Sequence, residues 1–218
     1  MQKRMPTVIA DDEHLLRTAF EPMHFSKGRI RPKCLKPMTK EPDEDDPSRM
    51  NNKVSVTRLD YAGWCFCLDH AHKNQKTNKV FKGFLKLVAG KVRTFGLDAL
   101  YKPTDDNPFH ANMVYQEINK PHEDELDELE SANLQATMRK VFESGEYVSC
   151  EEAELLANHE SQELMSNIND ITTVDGSQQK EIDSLLTRVL NLIKHWLSFV
   201  INLFSIIIKK IKLRICRK

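Results

Sequence analysis

Glycine is scarce in this chain, seven in 218 residues, and none of the seven sits in a Walker-type loop, a dinucleotide-binding pattern or a nucleophile elbow. The enzyme classes marked by those glycines are therefore not expected. Cysteine is equally sparing: Cys34, Cys65, Cys67, Cys150 and Cys216 form an odd, scattered set, unlike a secreted disulfide framework, so a reducing cytosolic setting is the simpler expectation. The opening stretch, MQKRMPTVIADDEHLLR, lacks the long apolar run of a secretory signal. Aromatics make up 7% of the chain and compose no stacking platform of the kind that grips single strands. Acid is missing altogether from Leu185 to Lys218.

What is present is segregated charge. Lysine plus arginine equal aspartate plus glutamate at 32 each, yet residues 1–120 carry a net +6, residues 121–170 a net −12, residues 171–184 a net −2 and the remainder a net +8. These zones suggest a mixed α/β (α+β) N-terminal domain over 7–120, an acidic helical segment over 121–170 and a hinge over 171–184. A hydrophobic helix with a basic C-terminal end follows over 185–215. The first zone is long enough to bury a modest core without metal or disulfides.

The last zone sets the functional expectation. Its charge-free core, Trp196 to Ile208, has 13 residues, about 20 Å of helix against a hydrocarbon thickness of about 30 Å. A span would have to recruit Lys194 and His195, so spanning, interfacial binding and burial in a helix-to-helix contact all remain open. In each membrane case Trp196, Phe199, Val200, Leu203, Phe204, Ile207 and Ile208 would enter the apolar phase. Lys209, Lys210, Lys212, Arg214, Arg217 and Lys218 would meet anionic lipid head groups.

Along the first domain, residues 7–20 suggest a short opening helix capped by Asp11 or Asp12 and ended at Glu21 and Pro22. Val54 and Val56 alternate with Ser55 and Thr57, the mark of a strand. Trp64 to Leu68 suggest a strand or short buried segment, residues 92–100 another strand or turn of helix, and residues 109–118 a closing strand or helix. PHEDELDELESANLQATMRKVFESG is helical with Gly145 as its stop, and a second helix follows with Ser149 as its cap.

Three groups could carry chemistry. Cys65, Cys67, His70 and His72 supply zinc-compatible atoms, but a strand would place the two cysteines on one face without orienting them around an ion, so no metal or other cofactor is expected. Asp105, Asp106 and His110 are the most plausible proton-exchanging set, and no motif raises them to a catalytic site; the chain is not expected to be an enzyme. Arg29, Arg31, Lys33 and Lys36 crowd together and suit a phosphate or a partner.

GRIRPKCLKP at Gly28 to Pro37, KVSV at Lys53 to Val56 and NPFHANMV at Asn107 to Val114 resemble an uncharacterised bacterial group, with Gly28, Arg31, Pro32, Lys36, Pro37, Pro108 and His110 as landmarks. The layout is similar to that of the membrane effector that accompanies a retron reverse transcriptase in antiphage defence. That resemblance implies a toxin-like antiviral protein at the cell inner membrane, with its first domain cytoplasmic. A reverse transcriptase–nucleic acid complex or other inhibitory partner would restrain it, and several copies would assemble in the membrane. The alternatives are a membrane-tethered adaptor for a protein or ribonucleoprotein, and a membrane-associated enzyme using Asp105 and His110.

Overall fold

Alternating and doubled apolar residues lay the backbone into a six-stranded sheet in the computed structural model, which describes residues 5–122 and 124–172. The strands are β1 (His14–Glu21), β4 (Lys53–Arg58), β5 (Val80–Val88), β6 (Leu97–Tyr101), β7 (His110–Tyr115) and β8 (Glu146–Ser149). Their order is β6-β7-β4-β1-β5-β8, with every neighbouring pair antiparallel. A separate hairpin joins β2 (Phe25–Ser26) to β3 (Arg29–Ile30). Its turn residues Lys27 and Gly28 both have positive φ, 52° and 71°, the backbone that a tight two-residue hairpin turn requires. The chain divides into units Met1–Glu163 and Leu164–Lys218, and the first contains the whole sheet.

Both faces of the sheet are covered, which is why adjacent residues in one strand can both be buried. On one face, Leu15, Val54, Val56, Leu85, Leu87 and Met113 pack with Cys34 and Leu35 of a 3-10 turn (Pro32–Leu35), Val92 of α2 (Ala89–Thr94), and Leu134, Met138 and Val141 of α3 (Glu128–Glu143). On the other, Leu16, Phe20, Phe81 and Phe84 pack with Cys67, Leu68 and Ala71 of α1 (Leu59–Lys73) and Ala153 and Ala157 of α4 (Cys150–Thr172). At about 25 cal/mol per Å² of apolar surface, each fully buried leucine or phenylalanine contributes about 1.5–3 kcal/mol. The small mixed α/β domain is thus a sheet between two helical layers.

Several local expectations change. Residues 14–20 form strand β1, where Leu15 and Leu16 point to opposite cores. Trp64 to Leu68 lie in α1, which kinks at Gly63 (φ 71°). A side chain at Gly63 would meet the Glu160 carboxylate at 2.5 Å, and that carboxylate accepts from the amides of Trp64 (2.8 Å) and Cys65 (3.2 Å). The second half of α1 is therefore capped by α4. Ser149 caps α4, its hydroxyl accepting from the Glu152 amide (3.2 Å) while Glu152 accepts from the Ser149 amide (2.8 Å).

The expectation of a membrane-acting effector, with its transmembrane helix and inner-membrane location, is corrected. Among the described residues no helix is long and apolar enough to cross a membrane. The longest helix among the described residues, α4, has 23 residues but carries Glu151, Glu152, Glu154, Glu160 and Glu163 along its length. The segment on which that expectation rested, Leu185 to Lys218 with its apolar core Trp196 to Ile208 and its terminal cations, lies outside the described residues, as does the hinge from 173.

Candidate functional site

The 3-10 turn is fixed from beneath before it offers anything to a ligand. Arg17 on β1 donates from Nε to the Cys34 carbonyl (2.9 Å), and the Tyr115 hydroxyl on β7 donates to the Leu35 carbonyl (2.8 Å). Burial pushes the Cys34 thiol up to about 12 and raises the Tyr115 phenol, so both stay neutral. With Cys34 and Leu35 turned inward, Lys33 and Lys36 face outward on the same short turn.

Opposite the turn stands α3. Its N-terminus is held by a capping box: the Asp127 carboxylate accepts from the Glu130 amide (2.8 Å), and Glu130 accepts from the Asp127 amide (2.9 Å). Lys120 pairs with Glu130 (2.6 Å), which ties the preceding loop to the same cap. The Met50 amide donates to the Lys120 carbonyl (3.0 Å) and the His122 amide to the Ser48 carbonyl (2.8 Å), closing the floor.

Between turn, loop and helix opens a cleft of about 890 Å³, within the size range of small-ligand sites. Its apolar surface comes from Met50, Leu126, Leu134 and Met138. Lys33, Lys36, Lys40 and Arg139 stand around it, with Asp124, Glu125 and His122 on the loop side and Thr39, Ser131 and Gln135 between. Among the described residues none of those four cations joins an ion pair; Lys33 reaches only the Pro22 carbonyl, at 3.5 Å. Some cations elsewhere are matched, Lys53 with Asp43 (2.8 Å), Lys86 with Glu146 (2.5 Å) and Lys102 with Asp45 (2.5 Å), while Lys27, Arg29, Arg31, Lys76, Lys91 and Lys140 also join no ion pair among the described residues.

Of the four basic residues picked out by sequence, Lys33 and Lys36 line this cleft, while Arg29 on β3 and Arg31 before the turn are exposed outside its lining. Nothing local in the sequence marks Lys40 and Arg139; only the packing of α3 against the turn brings them in. Asp105 and His110 are not joined by a hydrogen bond among the described residues: His110 Nδ1 donates to the Lys102 carbonyl (2.6 Å), and neighbouring Asp106 accepts from the Thr104 hydroxyl (2.7 Å). That hydroxyl bond holds the Asp106 carboxyl below the usual carboxylate range.

The Cys65, Cys67, His70, His72 group does not converge either. It lies on a helix, where positions two apart point in nearly opposite directions, so Cys65 is exposed and Cys67 is buried, its thiol pushed up to about 12 by that burial. His70 stacks on Phe66 (5.8 Å, 8°). His72 alone finds other ligating groups: its ring, Cys150 Sγ and a Glu154 carboxylate oxygen lie within 4.8 Å of one another. The expectation that the chain is no enzyme is corrected on this point, since a histidine, a cysteine and a glutamate gathered so closely form a donor set for a metal or for catalysis. Compared with protein families, with curated proteins and with solved structures, the chain matches none of them.

Proposed function

We propose that the domain binds a phosphorylated ligand of the nucleotide class in the cleft between the 3-10 turn and α3. The observation that supports this reading is the convergence of four cations without ion-pair partners among the described residues, Lys33, Lys36, Lys40 and Arg139, on an apolar-floored cavity. A charge left unmatched beside a concavity is a ready site for an outside anion. The methionine and leucine surface suits a flat ring, and Asp124 and Glu125 across the cleft can accept from amino or hydroxyl donors. A nucleotide combines phosphate, flat ring and donors; a bare phosphate uses only the cations, and a fatty acid has no use for the acids. Arg29 and Arg31, exposed beside the turn, would extend the same surface along a nucleic-acid strand.

Calorimetric titration of the purified chain with ATP, AMP, pyrophosphate and adenosine tests the reading. ATP should bind, adenosine and pyrophosphate should each bind more weakly, and affinity should fall as salt rises. Losing one charged hydrogen bond is worth about 1.5–3 kcal/mol, so Lys36→Glu or Arg139→Glu should weaken ATP by about 10–150-fold. Binding that ignores both substitutions, or no binding of any phosphate, sinks the reading.

A further inference from the structure

On the opposite face of the sheet from the cleft, the last turn of α1 meets the first turns of α4. We infer that His72, Cys150 and Glu154 form a binding site there for a divalent transition metal of the zinc class. Cys150 and Glu154 are four residues apart on α4, one helical turn, so their side chains rise on the same face. His72 comes from the C-terminal turn of α1 and completes the set, all three ligating atoms lying within 4.8 Å of one another. Donors on a tetrahedral zinc sit roughly 3–4 Å apart, given metal–ligand bonds of about 2.0–2.3 Å. Side-chain rotation at exposed His72 and Glu154 is enough to close the difference.

The donor chemistry selects the ion. Sulfur, imidazole and carboxylate together suit zinc, cobalt or nickel and discriminate against magnesium and calcium, which take oxygen alone. Three protein donors leave a fourth position for water, as in catalytic zinc sites. Cys150 Sγ already lies 3.6 Å from Glu154 Oε1. A bound cation of this class takes Cys150 as its thiolate, releasing one proton.

Gln75 is the residue hydrogen-bonded to the His72 ring. The Phe81 amide donates to Gln75 Oε1 (3.1 Å), which turns the Gln75 amide nitrogen toward His72 Nδ1 (2.8 Å). Loading the site exchanges this one neutral hydrogen bond for a metal bond at Nδ1; when Nε2 is the ligand, Nδ1 carries the proton and the Gln75 amide must turn over so that its oxygen accepts it.

Cobalt(II) titrated into the full chain, previously stripped with chelator, gives the test. A thiolate-to-cobalt charge-transfer band should appear, saturate at one ion per chain and be displaced by zinc. Cys150→Ser should abolish the band, and His72→Ala and Glu154→Gln should each weaken binding by more than about 10-fold, the least that loss of even an outer-layer partner produces. Cys65→Ser, at an exposed cysteine of the same helix, should leave the titration unchanged. Circular dichroism of each metal-free variant checks that it is folded. The inference is overturned by the absence of a charge-transfer band in the wild-type chain, by a band that survives Cys150→Ser, or by equal affinity in folded His72→Ala.

Discussion

Arg58 is the sharpest place to test the packing scheme. It ends β4 with a side chain 0% exposed, its Nε and Nη2 donating to the two oxygens of Glu13, each at 2.8 Å, and its Nη1 donating to the Pro6 carbonyl at 2.6 Å. The rings of Tyr61 and Tyr101 lie 4.6 and 5.1 Å from the guanidinium carbon. Arg58→Met keeps much of the volume but leaves a buried Glu13 carboxylate with the Ala10 amide (2.8 Å) as its remaining hydrogen bond. Stranding one member of a buried ion pair costs about 3–5 kcal/mol, a large share of the 5–15 kcal/mol typical of a domain. With a urea slope of about 2 kcal/mol per molar, the midpoint followed by far-ultraviolet circular dichroism should fall by about 1.5–2.5 M. Removing the second charge as well, in Arg58→Met with Glu13→Leu, should return at least about 2 kcal/mol, because no charge is then stranded. A single variant that loses under about 1 kcal/mol, or a double variant as unstable as the two singles added, refutes the reasoning.

Two further outcomes follow from buried groups. His24 accepts the Phe20 amide at Nδ1 (3.1 Å); burial, then the charges of Arg17, Lys79 and Lys33, lower it to about 4. Since an unfolded histidine titrates near 6.5, the unfolded chain holds more protons between the two values. The stability this neutral ring confers is therefore complete above about pH 6.5 and lost as pH falls toward about 4. Urea midpoints at pH 7 and pH 5 should differ in the wild type and differ less in His24→Gln, whose amide oxygen can still accept; equal differences would refute it. Cys34 and Cys67, buried and each pushed up to about 12, should resist Ellman's reagent until the chain unfolds, whereas exposed Cys65 should react at once. Prompt labelling of three thiols in a Cys150→Ser, Cys216→Ser background would contradict the burial.

How legible these features are in the sequence depends on how many partners each needs. β4 shows in Val54 and Val56 because one face of that strand carries most of its apolar side chains, and α3 and α4 show in their caps and in Gly145. β1 misleads because its pairs, Leu15 with Leu16 and Ala19 with Phe20, imitate helical spacing; Leu15 joins one core and Leu16 the other. In α1, aromatic and cysteine content points to a strand, while packing against Leu16 and Phe84 and the Glu160 cap impose a helix. β8 is four residues long between two helices, too short to carry a period. Lys33 and Lys36 are readable from one turn, but Lys40 and Arg139 join them only in the folded chain. The same limit hid the pairing of His72 with Cys150 and Glu154, since His72 has nearer histidine and cysteine neighbours in sequence.

The stretches Gly28 to Pro37 and Asn107 to Val114 divide the same way. Within Gly28 to Pro37, Gly28 permits the hairpin turn, Pro32 starts the 3-10 turn, and Cys34, Leu35 and Pro37 are buried. Within Asn107 to Val114, the Asn107 side chain donates to the Thr57 hydroxyl (2.9 Å) and accepts from the Phe109 amide (3.0 Å), fastening β7's entry to β4. Buried polar groups held in this way specify a register, because any slip would strand them. Most of both motifs is thus accounted for by holding β4 and the turn in place. What that scaffold leaves unexplained by folding is the exposed basic remainder, Arg29, Arg31, Lys33 and Lys36, which packing does not require. Lys33 and Lys36 are the part of it that the turn presents to the cleft.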